Sequence, residues 1–178
     1  MNRHYSRRNF LSNMLGLGAL SCVPGAWSSA IKDKGLSLIN LHTGESLETD
    51  IGRDTPLQND ELQAVDQVLR DHRSGDVYPI DPNLLLLLVA LQNKVAVAGA
   101  FHVISAYRSP ASNNKLRAAG RGVATRSLHM QGKAIDIRLP GCDLNKLHSA
   151  ARALRCGGVG IYSTSNFLHV DTGRVRYW

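Results

Sequence analysis

The sequence predicts an α+β domain with a small, mostly antiparallel sheet flanked by helices. Three observations predict it. Short apolar or alternating runs recur and read as strands. Several longer stretches place apolar residues at helical spacing. The two kinds follow one another irregularly, without the strict strand–helix alternation of a parallel α/β fold.

Leu36 to His42 alternates, with Leu36 and Leu38 on one side and Asn40 and His42 expected to face otherwise. Thr43-Gly44 is a turn, and Glu45 to Ile51 can return as a second strand. Asn59 to Arg73 reads as a helix capped by Asn59, with Leu62, Val65, Val68 and Leu69 on one face. Asp81-Pro82 caps and opens the next helix, which runs to about Val97. Its run from Leu84 to Leu88 reads as a buried core helix. Phe101 to Tyr107 is the first candidate central strand, and Ser112 to Ala119 a short helix. Gly120 to Ser127, rich in small polar residues, is a loop. Ala134 to Arg138 is a strand, and Leu144 to Leu154 a helix with apolar positions 144, 147, 150, 151 and 154. Gly157, Gly158 and Gly160 read as a tight connection. Phe167 to Thr172 is a strand, and Arg174 to Trp178 an edge segment.

A chain of 178 residues with 43% apolar and 20% charged residues suits one domain with a genuine core and excludes global disorder. Its first thirty residues read separately. A basic start is followed by an apolar, small-residue stretch and closes on Ser28-Ser29-Ala30, the layout of a secretory signal. Ser6-Arg7-Arg8-Asn9-Phe10-Leu11 resembles a twin-arginine export signal. The alternative is a membrane anchor, but about fifteen apolar residues fall short of the roughly 20 that span a bilayer. Cys22 sits in a poor lipoprotein context. The expected organisation is therefore a twin-arginine signal peptide at 1–30 and a mature domain at 31–178, placed in the periplasm by the twin-arginine translocase. No stable membrane span is expected in the mature form.

Cleavage after Ala30 removes three arginines and no acid, so the formal net charge falls from +7 to +4. A mildly basic exported domain suits an anionic polymer. Nucleic acid is not expected, because no run of Lys and Arg interleaved with aromatics exists. Cys142 and Cys156 flank the 144–154 helix, which would hold them on the order of 15 Å apart, beyond the roughly 7 Å reach of a disulfide. His102 and His148 read as structural, the latter facing solvent.

The chemistry concentrates in two segments, Ser127-Leu128-His129-Met130-Gln131-Gly132-Lys133-Ala134-Ile135-Asp136 and Asn166-Phe167-Leu168-His169-Val170-Asp171. Two His and one Asp can hold zinc and leave the fourth tetrahedral position for water. Such an open position is what a hydrolytic zinc site needs. An ordinary fate for a His is a solvated or core-bonded imidazole, and spacing alone leaves both readings open.

The pattern Ser127-x-His129-x-x-Gly132-x-Ala134-x-Asp136 with a distant His169 resembles the signature of the LAS zinc peptidases. That group is named from lysostaphin, the D-alanyl-D-alanine metallopeptidases and sonic hedgehog. Tyr107-Arg108-Ser109 and Gly158-Val159-Gly160-Ile161-Tyr162 also match. Three further segments resemble one branch, the twin-arginine-exported murein endopeptidases of the K type. They are Asn40 to Ser46, Leu116 to Ala124, and the ending through Thr172-Gly173 to Trp178. The resemblance covers about residues 36–178. It implies a hedgehog/D,D-peptidase-like zinc peptidase fold and zinc held by His129, Asp136 and His169. It implies murein peptide as substrate, cut at diaminopimelate–diaminopimelate links, with weaker action on D-alanine–diaminopimelate links. Two alternatives stand beside it: a D,D-carboxypeptidase or dipeptidase on murein peptides, and a non-catalytic, zinc-stabilised murein-binding domain.

Within that resemblance, Arg108 is expected to contact substrate and stabilise the oxyanion, with a surface salt bridge as the alternative. Ser109 and Ser127 either bind substrate or hold the loop, and Tyr162 either reaches the site or packs beneath it. Many relatives carry an acid three residues before the last His ligand. Here that position is Asn166, which cannot accept a proton. Asp171 is the nearest replacement. It is expected either to act as general base or to orient a ligand His by accepting its other ring N–H.

Overall fold

The computed structural model describes residues 35–51 and 58–178. The signal-like segment 1–30, with Arg7, Arg8 and Cys22, lies outside the described residues. The elements are β1 (Ser37–Asn40), β2 (Ser46–Glu48), α1 (Asn59–Val68), α2 (Pro82–Val95), β3 (Phe101–Ser105), α3 (Pro110–Ala118), a short 3-10 helix (Leu128–Gln131), β4 (Ala134–Arg138), α4 (Leu144–Leu154), β5 (Gly158–Tyr162), β6 (Phe167–Asp171) and β7 (Arg176–Tyr177).

The fold is α+β, as the sequence predicts. Among the described residues the strands form one sheet in the order β2-β1-β3-β4-β6-β5-β7. Four neighbouring pairs are antiparallel, while β1–β3 and β5–β7 are parallel. The sheet is thus larger than expected, and mixed. The extra width comes from β5, whose glycines read as a connection, whereas β2 and β7 fall within the segments 45–51 and 174–178 expected to be strand and edge.

One face of the sheet is apolar. Phe101, Val103, Ile135, Ile137, Leu168 and Val170 are buried there with Leu84, Leu85, Leu88 and Leu91 of α2 and Leu147 of α4. α4 packs on β5 and β6, and α2 packs on α4. Asp81 caps α2 by accepting from the Asn83 backbone N–H, and Asp143 caps α4 in the same manner. Leu86 alone in the leucine run faces solvent, as the helical period requires.

Several further expectations need correction. First, α1 ends at Val68, not Arg73, and Gln58 rather than Asn59 occupies the N-cap position. The Val68 carbonyl accepts from the Asn40 side chain, and the Leu69 carbonyl accepts from the Tyr107 N–H. Tertiary donors therefore take the carbonyls that a further helical turn would have used. Second, Asn40 faces the interior at 4% exposure and ties β1 to the end of α1. Third, Gly158 and Gly160 are not a connection but part of β5.

Cys142 and Cys156 flank α4 as expected and are not bonded to each other. His148 does not face solvent fully. It is half-buried, with Nε2 turned inward. Among the described residues no helix is long and apolar enough to cross a membrane.

Candidate metal centre and its surroundings

The face opposite the helices carries the polar cluster. In the β4–β6 pair, Asp136 lies directly across from His169, and Ala134 across from Asp171. Directly opposed residues of an antiparallel pair share a face. Ile135, Ile137, Leu168 and Val170 point to the core, so Asp136, His169 and Asp171 must point to the other side. The same register opposes Gly160 of β5 to His169.

β3 reaches this face through an irregularity. Val103 pairs with Ile137, but Ser105 pairs with Asp136, a one-residue shift. The bulge turns the strand end toward the cluster. The next carbonyl, of Ala106, then accepts a hydrogen bond from His129 Nδ1 at 2.7 Å. His129 itself stands on the 3-10 helix, which ends at Gly132 with φ 64°. A Cβ at Gly132 would run into the Pro79 carbonyl, so this left-handed, close-packed position requires glycine. The chain turns back there and enters β4, bringing His129 to Asp136.

The result is a convergent donor set. His129, Asp136 and His169 are buried, and their ligand-type atoms lie within 4.8 Å of one another. His169 Nδ1 is 2.9 Å, and His129 Nε2 3.4 Å, from Asp136 Oδ1. The remaining ring nitrogens are already engaged. His129 Nδ1 donates to Ala106, and His169 Nε2 lies 3.0 Å from Asp171 Oδ2. Two imidazole nitrogens and a carboxylate therefore face one point with their tautomers fixed from behind, a donor set that fits a divalent transition metal.

Charge is arranged to match. Burial opposes ionisation of Asp136, but the charge and hydrogen bonds of His129 and His169 overcome it and hold the carboxyl well below the usual range. Asp171 is fully buried, which also opposes ionisation. Hydrogen bonds from His169, Arg176 and the backbone N–H groups of Gly158 and Gly173 hold it far below the usual range as well. Burial disfavours a charged His169, but the flanking carboxylates outweigh it and raise its pKa.

Asp171 stands behind the His169 ring. One ring nitrogen meets Asp136 and the other meets Asp171, so the imidazole separates the two carboxylates. With both oxygens occupied and no exposure, Asp171 has the geometry of a group that orients His169. A proton acceptor for water at the cluster would need an open path that this carboxylate lacks. Asn166, three residues before His169, adopts φ 51° in the turn between β5 and β6. Asparagine tolerates that left-handed conformation better than most residues.

Arg108 is 6% exposed, and its NH2 group lies 3.9 Å from Asp136 Oδ2 and donates to Ser105 Oγ. Among the described residues its Nε has no partner. Arg108 is thus a buried cation beside the cluster rather than half of a surface salt bridge. Ser109 is turned elsewhere. Its hydroxyl and N–H both donate to Asp71, and its oxygen caps α3 by accepting from the Ser112 N–H. Ser127 is buried at the start of the 3-10 helix and makes no side-chain cap bond. Tyr162 is 40% exposed at the end of β5, stacked on Phe167.

Sequence reasoning did not single out Trp178, Arg176, Asp71 or the Ala106 carbonyl. The glycines of β5 are the signal for the first two. A Cβ at Gly158 would meet Arg176 and Asp171, and one at Gly160 would meet the Trp178 indole.

Comparison with known proteins gives a consistent picture. Residues 28–178 match the model of a family described as Peptidoglycan L,D-endopeptidase MepK. The chain is 39% identical over 164 residues to the Escherichia coli (strain K12) protein named peptidoglycan L,D-endopeptidase MepK, covering 92% of this chain and 90% of that one. It is 41% identical over 165 residues to a probable peptidoglycan L,D-endopeptidase MepK of Haemophilus influenzae, covering 92% and 89%.

The back-to-back placement of Asp171 and Asp136 on His169 generates a prediction. Asp171→Asn should weaken metal binding by about 10–100-fold, because the amide orients the ring poorly, and excess metal should restore occupancy. Titration of the metal-free variant by competition with a chromogenic chelator measures this. Unchanged affinity would remove the orienting role.

Proposed function

Since this chain belongs to the peptidoglycan L,D-endopeptidase MepK family of metallopeptidases, we propose that it hydrolyses peptide cross-links of peptidoglycan with a zinc ion held by His129, Asp136 and His169. The observation that carries the reading is the convergence of three buried donors whose unused ring nitrogens are fixed by Ala106 and Asp171. When bound, zinc supplies a Lewis acid for the peptide carbonyl and lowers the pKa of a bound water.

The chain's own residues do the rest. Asp171 holds the His169 ring and keeps its Nε2 proton in place, leaving Nδ1 toward Asp136. Ala106 does the same for His129 from the other side. Arg108, buried and with Nε unpartnered, offers N–H donors beside Asp136 for the oxyanion that develops on the cut carbonyl. Its guanidinium is anchored by Ser105 and Asn113, so little reorganisation is needed when charge develops there. Ser109, next to Arg108 in the chain, is tied to Asp71 by its hydroxyl and its N–H, and the Ser127 carbonyl accepts from the Met130 N–H in the turn that carries His129. Tyr162 stands at the rim, where a bound peptide would pass. The bond cut is that between two diaminopimelate residues, with weaker action on the D-alanine–diaminopimelate bond.

The same substrate places the work in the periplasm, and Arg7-Arg8 points to delivery by the twin-arginine translocase. Two experiments test these statements. Purified protein should release monomers from cross-linked murein, lose that activity in a chelator and regain it with about one zinc per chain. Binding to murein without release of peptide would instead favour the non-catalytic reading, and release of single terminal residues a carboxypeptidase. Replacing Arg7 and Arg8 by Lys should leave precursor in the cytoplasm, whereas undiminished periplasmic delivery would point to the general secretory route.

A further inference from the structure

Trp178 lies against the cluster, and nothing in the chemistry above uses it. Its ring centroid is 5.2 Å from that of His169, with the planes tilted by 47°. The residue is firmly held. Its backbone N–H donates to the Val159 carbonyl, and its own carbonyl accepts from the Ile161 N–H. The indole Nε1 donates to the Tyr162 hydroxyl at 3.0 Å, and the Arg176 guanidinium sits 5.0 Å over the ring. Gly160, opposite His169, leaves the space that the indole fills. Despite these ties Trp178 remains 47% exposed, and its hydrogen-bonded neighbour Tyr162 40% exposed.

An aromatic surface so fixed, yet still half open to water, gains free energy when an apolar group covers it. Its position beside a metal-ligand candidate makes the substrate the covering group. Resting on the murein cross-link reading, we propose that Trp178, extended by Tyr162, is an apolar shelf for the trimethylene side chain of the diaminopimelate residue at the cut bond. The shelf sets the preference for diaminopimelate over D-alanine at that position. D-Alanine offers only a methyl group to such a shelf. Each additional methylene removed from water is worth about fourfold in affinity, so partial cover of the longer chain gives roughly tenfold discrimination.

The test uses two soluble cross-linked muropeptide dimers, one joined diaminopimelate to diaminopimelate and one D-alanine to diaminopimelate. In Trp178→Ala the ratio of kcat/KM between the two dimers should fall about tenfold, chiefly through KM, with the bound metal retained. Trp178→Phe, which keeps an apolar ring but loses the bond to Tyr162, should recover most of the ratio. A second readout is independent of turnover. In a metal-free Trp27→Phe chain, which cannot cut the dimers, Trp178 is the single tryptophan. Its emission should respond to the first dimer at lower concentration than to the second. Equal loss of activity on both dimers, or loss of metal from Trp178→Ala, would reduce Trp178 to a support for His169 and overturn the shelf. Failure of the unaltered enzyme to cut either dimer would overturn the murein reading and the shelf together. Normal cutting with an unchanged ratio in Trp178→Ala would overturn the shelf alone.

Discussion

The pairing of β4 with β6 is the constraint on which the site depends. It sets Asp136 directly across from His169 while the residues on either side of each point into the core. A slip of one residue would send His169 to the helix-covered face and bring a branched aliphatic to the cluster. The register is enforced by burial, because Ile135, Ile137, Leu168 and Val170 are fully removed from water. Hydrophobic packing on one face thus fixes the distance between two polar groups on the other. Two donors carried by neighbouring central strands cannot drift apart unless the sheet itself opens.

The third donor arrives by a different device. His129 is on no strand, and its position relies on Gly132, on the Ala106 carbonyl at its back, and on the bulge that aims the end of β3. From His169 a chain of contacts runs outward through Asp171 to Arg176 and from Arg176 to Trp178. The short strand β7 is therefore coupled to the cluster, although its two residues contribute little to the core. A charge buried as deeply as that of Asp171 is tolerable because five donors surround it.

Much of this was legible in the sequence. Where the apolar period is clear, as in α2 and α4, the bounds follow closely: Asp81-Pro82 opens one helix, and the apolar positions from 144 to 154 mark the other. β4 was readable because both of its faces are buried. α1 ends before its apolar period does, because Asn40 and Tyr107, distant in sequence, take the terminal carbonyls. Gly158 and Gly160 looked like a turn, since their lack of side chains serves Arg176 and Trp178 rather than backbone freedom. His129, Asp136 and His169 were found from a motif, and the structure brings them together. From the sequence Ser109 reads equally as a substrate contact or a loop support, and its bonds to Asp71, a partner that linear spacing cannot reveal, favour the second.

On the proposed reading, three residues, two fixed by strand register and one by a glycine-ended turn, present Nε2 of His129, the Asp136 carboxylate and Nδ1 of His169 to one metal ion. Anomalous diffraction from crystals of the zinc-loaded protein tests it most directly. The account predicts a single strong peak bonded to those three atoms at about 2.0–2.2 Å, with Asp171 still on His169 Nε2. A metal bound through His169 Nε2, or a zinc site that leaves out any one of the three residues, would contradict it.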